Sequence, residues 1–191
     1  MIIGITGGTG CGKTTLLNVI EEQGGLILDC DAIYHQLLKT DRKLLSDIEK
    51  RFPGVVENGT LQRKKLGAIV FSDPAALADL NAITHSAVRA EVCRRLAAGP
   101  MLAAIDAIAL FEGNLSSLCN VTVAVTAPLQ DRVERLMKRD NISEEYAKNR
   151  IAAQHDEVWF RQRCDCILEN NGTQMQFYNK CLAFLQELGI I

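Results

Sequence analysis

The sequence predicts an α/β fold built on a parallel sheet, and three observations carry that expectation. Short apolar runs recur along the chain, separated by stretches with helical periodicity. The first run, Ile2–Thr6, is apolar throughout rather than alternating, as in a strand buried on both faces. It ends in glycines and gives way at once to a helical pattern, a strand–turn–helix unit.

Taken in order, the helix after the first strand runs from Lys13 to Glu22, with Leu16, Leu17, Val19 and Ile20 on its apolar face. Leu26–Leu28 follows Gly24-Gly25 as a second strand. Met101–Ile105, Val121–Val125 and the weaker Cys166–Leu168 complete five strands. Helical segments are expected near residues 32–50, 62–71, 74–98, 128–140, 143–160 and 173–188. Pro53-Gly54 and Asn58-Gly59 read as turns between helices. The 191 residues suffice for one substantial core. We therefore expect a single domain, with a sheet-bearing core at 1–33, 99–127 and 157–191. Residues 34–98 form a helical insertion for substrate, and the charge-rich residues 128–156 form a helical hairpin.

Composition removes several classes. The net charge of −2, from 21 basic and 23 acidic residues, gives no electrostatic footprint for nucleic acid. Seven cysteines at irregular spacing, with no C-x-x-C pair, argue against a disulfide framework or zinc site and for reduced thiols. Cys164 and Cys166 flank Asp165 in an expected short strand and read as packing residues. Met1–Thr6 is too short for a secretory signal, and no apolar run approaches the roughly 20 residues of a membrane span. The expected location is the cytoplasm, without membrane or nucleic-acid partners.

Gly7-Gly8-Thr9-Gly10-Cys11-Gly12-Lys13-Thr14 matches G-x-x-x-x-G-K-[ST] between a strand and a helix. The glycines let successive backbone N–H groups turn toward phosphate oxygens, and the helix aims its positive end at the same anion. Lys13 supplies a charge for the β- and γ-phosphates, and the Thr14 hydroxyl is placed to ligate Mg²⁺. These residues predict nucleotide binding and leave the acceptor open.

The rest of the chain narrows the kind. A switch GTPase needs N-K-x-D, and Asn179-Lys180-Cys181-Leu182 fails at its last position. A mechanical ATPase would end a hydrophobic strand in Asp-Glu, whereas Asp106 stands alone. Small size and a charged helical hairpin fit a nucleoside- or nucleotide-type kinase. Asp29 and Asp31 follow the second strand, at the carboxyl edge where ligands bind in open α/β sheets. A carboxylate there can take the proton of an acceptor hydroxyl. Asp31 is the expected base and Asp29 its support, although one of the pair can instead cap the next helix. Asp106 reads as a water-mediated Mg²⁺ contact, an acceptor contact or a strand-end cap, and Glu112 is a weaker candidate. Arg135 and Arg139 share a helix face and, with Arg150, can place cations over the transferring phosphoryl group. His85, taken alone, reads as an ordinary helix residue.

Together these pieces resemble the dephospho-coenzyme A kinase family over essentially the whole chain. The resemblance rests on the phosphate loop, Asp29-Cys30-Asp31, Asn58 to Leu66, Ile69 to Asp73, Leu80 to His85 and Asp106 to Glu112. It continues through Arg135 to Asp140, Ile142 to Gln154 and Asp165 to Gly172. It implies a three-layer P-loop kinase fold with a five-stranded parallel sheet, acceptor binding by 34–98 and a mobile lid at 128–156. It implies phosphorylation of the ribose 3′-hydroxyl of dephospho-coenzyme A by ATP with Mg²⁺, the last step in making coenzyme A. The implied catalytic set is Asp31, Lys13 and Arg139. The implied ATP contacts are Gly8, Gly10, Cys11, Gly12, Lys13, Thr14, Thr15, Arg139 and Arg150, with Asn170, Asn171 and Gly172 bordering the adenine. Arg63, His85 and Asp106 join Asp31 on the acceptor side. Ser86 and Ile108 stand where the family usually has proline, which loosens backbone positioning there. The alternatives are a kinase of another nucleotide or nucleoside and a catalytically silent nucleotide-binding module. A monomer or small homo-oligomer fits either reading.

Overall fold

The computed structural model describes residues 1–191 in full. Five strands form one parallel sheet: β1 (Ile2–Thr6), β2 (Leu26–Asp29), β5 (Ala103–Asp106), β6 (Val121–Thr126) and β7 (Cys166–Glu169). Their order is β2-β5-β1-β6-β7. In register, Ile5 pairs with Asp106 on one side of β1 and with Val123 on the other. The chain departs from central β1 in both directions, so a crevice opens at the carboxyl ends of the strands.

Helices cover both faces, giving three layers. On one face α1 (Lys13–Glu22) and α9 (Gln174–Glu187) pack Leu16, Val19, Ile20, Phe177 and Phe184 against Ile3, Ile5, Val123 and Val125. On the other face lie α2 (Cys30–Thr40), α3 (Arg42–Arg51) and the long α5 (Pro74–Leu96). They bury Ile33, Ile48, Phe52 and Val92 beside Leu28 and Ile105 of the sheet. Each such side chain contributes roughly 1.5–3 kcal/mol of burial. A separate small cluster, Val133, Leu136, Ala147 and Ile151, joins α6 (Leu129–Asp140) to α7 (Glu144–Ala152) as a helical hairpin. The remaining helices are α4 (Arg63–Val70) and α8 (Glu157–Arg161).

Several local expectations are corrected. The segment 32–50 is two helices, because Asp41 leaves helical geometry and caps α3 through the Lys43 and Leu44 amides. The segment 143–160 likewise divides, with Asp156 capping α8. Asn58-Gly59 does not join two helices. Both residues have positive φ and close a small antiparallel hairpin, β3 (Val56–Glu57) with β4 (Thr60–Leu61). Met101 precedes its strand and is 93% exposed. Cys164 also lies outside its strand, while Cys166 packs against the sheet core. The neighbouring Asp165 carboxylate accepts from the Thr122 amide and hydroxyl. No helix is long and apolar enough to cross a membrane.

Candidate active site

The loop between β1 and α1 is built by close contacts that only glycine allows. Gly7 and Gly12 sit at φ 131° and 98°, and a Cβ on either would collide, with the Val125 carbonyl and the Asn170 amide respectively. Asn170, buried at the end of β7, donates its Nδ2 to the Cys11 carbonyl at 2.9 Å. Asn170 therefore stands behind the loop, and neither it nor Gly172 lines the phosphate cavity. Thr15 turns to a different hollow, shared with Gln174 and Tyr178. The Cys11 side chain is buried, so only its backbone serves the loop.

At the loop's mouth is a cavity of about 400 Å³ lined by Gly10, Gly12, Lys13, Thr14, Asp29, Asp31, Asp106, Arg135, Arg139 and Arg150, among others. Residues from five separate stretches of sequence thus converge. Lys13 Nζ donates to the Gly7 carbonyl at 2.9 Å, folded over the loop. Arg139 and Arg150 both reach the Asp140 carboxylate. Burial pushes the Asp106 carboxyl up to about 6, with Lys13 opposing and Asp29 and Asp31 adding to the shift.

The two aspartates after β2 have different positions. The Asp29 side chain accepts from the Ala32 amide at 2.9 Å and caps α2. Asp31 lies in the first turn of α2 and lines the phosphate cavity without a partner in the fold. It also lines a second cavity of about 230 Å³, which is mostly apolar. That cavity is walled by Tyr34, Leu80, Val88, Ile108 and Leu115, with Asn81, Thr84 and His85 at its polar points. Asp31, Ala107 and Ile108 are thus shared between the two cavities. Arg63 is apart from both, its Nη2 3.3 Å from His35 Nδ1. Ser86 is an exposed residue within continuous α5, so the missing proline leaves that helix unbroken.

The oxygens facing the larger cavity suit a hard cation: the Thr14 hydroxyl and the Asp29, Asp31 and Asp106 carboxylates. No three metal-ligating side chains converge into a closed cage. Mg²⁺ that arrives on phosphate oxygens and takes one or two protein oxygens needs none.

Two contributors escaped the sequence reading. Arg132 Nε donates to the Thr9 carbonyl at 3.0 Å, and Gln154 accepts from the Thr9 amide at 2.7 Å. Together they tie the helical hairpin to the phosphate loop. Arg132 lies three residues before Arg135 and seven before Arg139, so helical spacing alone could have placed it with them. Nothing local marks Gln154.

A family profile described as dephospho-CoA kinase matches residues 1–176. A dephospho-CoA kinase from Deinococcus radiodurans is 36% identical over 192 residues, covering 98% of this chain and 92% of its own. A solved structure from Thermus thermophilus superposes with a TM-score of 0.83 at 34% identity, covering 98% of this chain and 97% of the other. A dephospho-CoA kinase structure from Campylobacter jejuni gives 0.66 at 25% identity, with coverage of 98% and 96%. These likenesses span the P-loop core, the helical insertion and the hairpin alike, and they favour neither another nucleotide kinase nor a silent module. The chain belongs to the dephospho-coenzyme A kinase family, whose members phosphorylate dephospho-coenzyme A to coenzyme A.

Proposed function

We propose that this protein transfers the γ-phosphoryl group of MgATP to the ribose 3′-hydroxyl of dephospho-coenzyme A, with Asp31 receiving the hydroxyl proton. The observation that carries the reading is the position of Asp31. It stands where a polar phosphate cavity meets an apolar cavity, free of other hydrogen bonds, while Asp29 is held as a helix cap.

The chemistry follows from the placement. The loop amides and the α1 N-terminus hold the triphosphate, with Lys13 supplying charge at the β- and γ-phosphates. Thr14 would hold Mg²⁺, which would supply charge neutralisation on the phosphate oxygens. Asp31 takes the proton as the 3′-oxygen attacks phosphorus, and ADP leaves in line. Arg139 and Arg150 stabilise the charge spread over the phosphoryl oxygens. Residues 128–156 act as a lid and exclude water, so that the acceptor is phosphorylated rather than ATP hydrolysed. Residues 34–98 supply the acceptor side, with His85 and Asp106 beside the ribose and Arg63 further along the coenzyme. Asn170, Asn171 and Gly172 border the adenine through backbone contacts. We place the enzyme in the cytoplasm, as a monomer or small homo-oligomer acting on small molecules alone.

The deciding experiment is ADP release with MgATP and dephospho-coenzyme A, beside Asp31→Asn. Acceptor-dependent release that collapses by about 10²–10⁴-fold in the variant supports substrate and base together. Turnover that survives moves the base elsewhere. ATP binding without acceptor-dependent turnover overturns the reading.

A further inference from the structure

Arg139 and Arg150 come from different helices, yet their guanidinium groups meet. Both line the phosphate cavity, and both bond to one carboxylate. Asp140 accepts from Arg139 Nε at 2.7 Å and from Arg139 Nη2 at 3.0 Å. It also accepts from Arg150 Nη1 at 2.6 Å. Two guanidinium groups held this close repel unless an anion lies between them. Asp140 is that anion within the fold.

We propose that Asp140 is a positioning residue for phosphoryl transfer, which clips the two lid arginines into one forked cation aimed at the phosphate cavity. The inference rests on the reading that these arginines meet the transferring group. Three observations support it. First, Asp140 is the last residue of α6, where the negative end of the helix dipole disfavours an acid, so helix stability does not explain it. Second, Asn141 follows in the left-handed conformation at φ 53°, turning the chain directly toward α7. The carboxylate thereby spans from the end of α6 to the last turn of α7. Third, the bonds leave donors to spare. Each guanidinium carries five N–H groups, of which Asp140 engages only part, so the rest remain for phosphate oxygens. The arginine bonds also hold the Asp140 carboxyl down to about 2, so it stays ionised throughout the neutral range.

A positioning role and a purely structural one differ in what they move. Asp140→Asn keeps the shape and one carbonyl acceptor but loses the charge. It therefore frees the arginines while adding a net positive charge to the lid. We expect kcat to fall about tenfold, the scale for losing a partner that orients a functional group. The KM for ATP should stay within about threefold, because the freed cations still attract the triphosphate. Asp140→Glu should restore part of kcat. In an Arg150→Ala background the further loss from Asp140→Asn should shrink to about threefold or less, because the clip already lacks one arm.

Unchanged kcat in Asp140→Asn overturns the proposal. So does a full tenfold loss repeated in the Arg150→Ala background, or a lowered melting temperature with unchanged kcat per folded molecule. The wild type and the same variants are compared in acceptor-free ATP hydrolysis. That arm tests the clip even if dephospho-coenzyme A is not turned over, a result that would sink the substrate reading alone.

Discussion

The two cavities that meet at Asp31 are built in opposite ways. The phosphate side is almost all polar, and its parts are cross-tied. Lys13 bonds back to the loop, Arg132 and Gln154 bridge the 128–156 hairpin to Thr9, and Arg135 donates to the Gly10 carbonyl. The second cavity is mostly apolar, with a few polar side chains along α5. Phosphate recognition demands fixed donors at set distances, so the fold holds each of them. A mostly apolar cavity offers area and shape instead, which side-chain packing supplies. Substitutions on the first side should therefore act on rate, and those on the second on acceptor affinity.

Lys13→Ala tests the first half most severely. It should lower kcat/KM by about 10³-fold while the fold persists, as steady-state kinetics and circular dichroism would report. An equal loss of melting temperature would break the distinction.

Asn81→Trp tests the second half. Asn81 is exposed at the edge of the apolar cavity, so the larger ring should obstruct it without crowding the core. The KM for acceptor should rise at least about tenfold, with the KM for ATP within about twofold. Parallel changes in both constants would mean that the two cavities do not act separately.

Asp106 sharpens the comparison through pH. Its carboxyl is raised from 3.8 to about 6, so the folded chain holds that proton more tightly than the unfolded chain does. Stability is then lost as pH rises through about 4 to 6, and the penalty is complete above that range. Asp106→Asn removes it. Urea unfolding at pH 7.5 should show the variant more stable by about 1–3 kcal/mol, an advantage that fades as pH falls toward 4. An advantage independent of pH would assign the gain to packing instead.

The smallest effect is expected at the contact between His155 and Glu112. His155 Nε2 lies 2.8 Å from Glu112 Oε1, and its ring stacks on Trp159 at 3.7 Å. Both polar partners are half-exposed, so Glu112→Gln should cost less than about 1 kcal/mol. Trp159 is the single tryptophan of the chain, and its emission should shift in the variant. A large loss of stability would make this contact part of the core.

Residues 32–50 show how far a local reading reaches. Helical periodicity places this segment but runs it as one helix, because the cap at Asp41 is a property of backbone geometry rather than of apolar spacing. The hairpin around Asn58-Gly59 was missed for a related reason: two-residue strands carry no periodicity to detect. The choice between Asp29 and Asp31 was open in sequence because both sit at one strand end. The bond from Ala32 to Asp29 separates them, leaving Asp31 at the cavity junction.

The sequence by itself determined the five strands, the glycine loop with Lys13 and Thr14, and the arginine-bearing hairpin. Each is written in contiguous residues, as an apolar run, a motif or a helical spacing. Only the tertiary structure decided that Gln154 accepts from Thr9, that Asn170 buttresses Cys11, and that Asp140 joins Arg139 to Arg150. The first two pairs are separated by 145 and 159 residues. Such contacts depend on how β6, β7 and the hairpin pack around β1, and packing geometry is a property of the assembled chain rather than of any one segment.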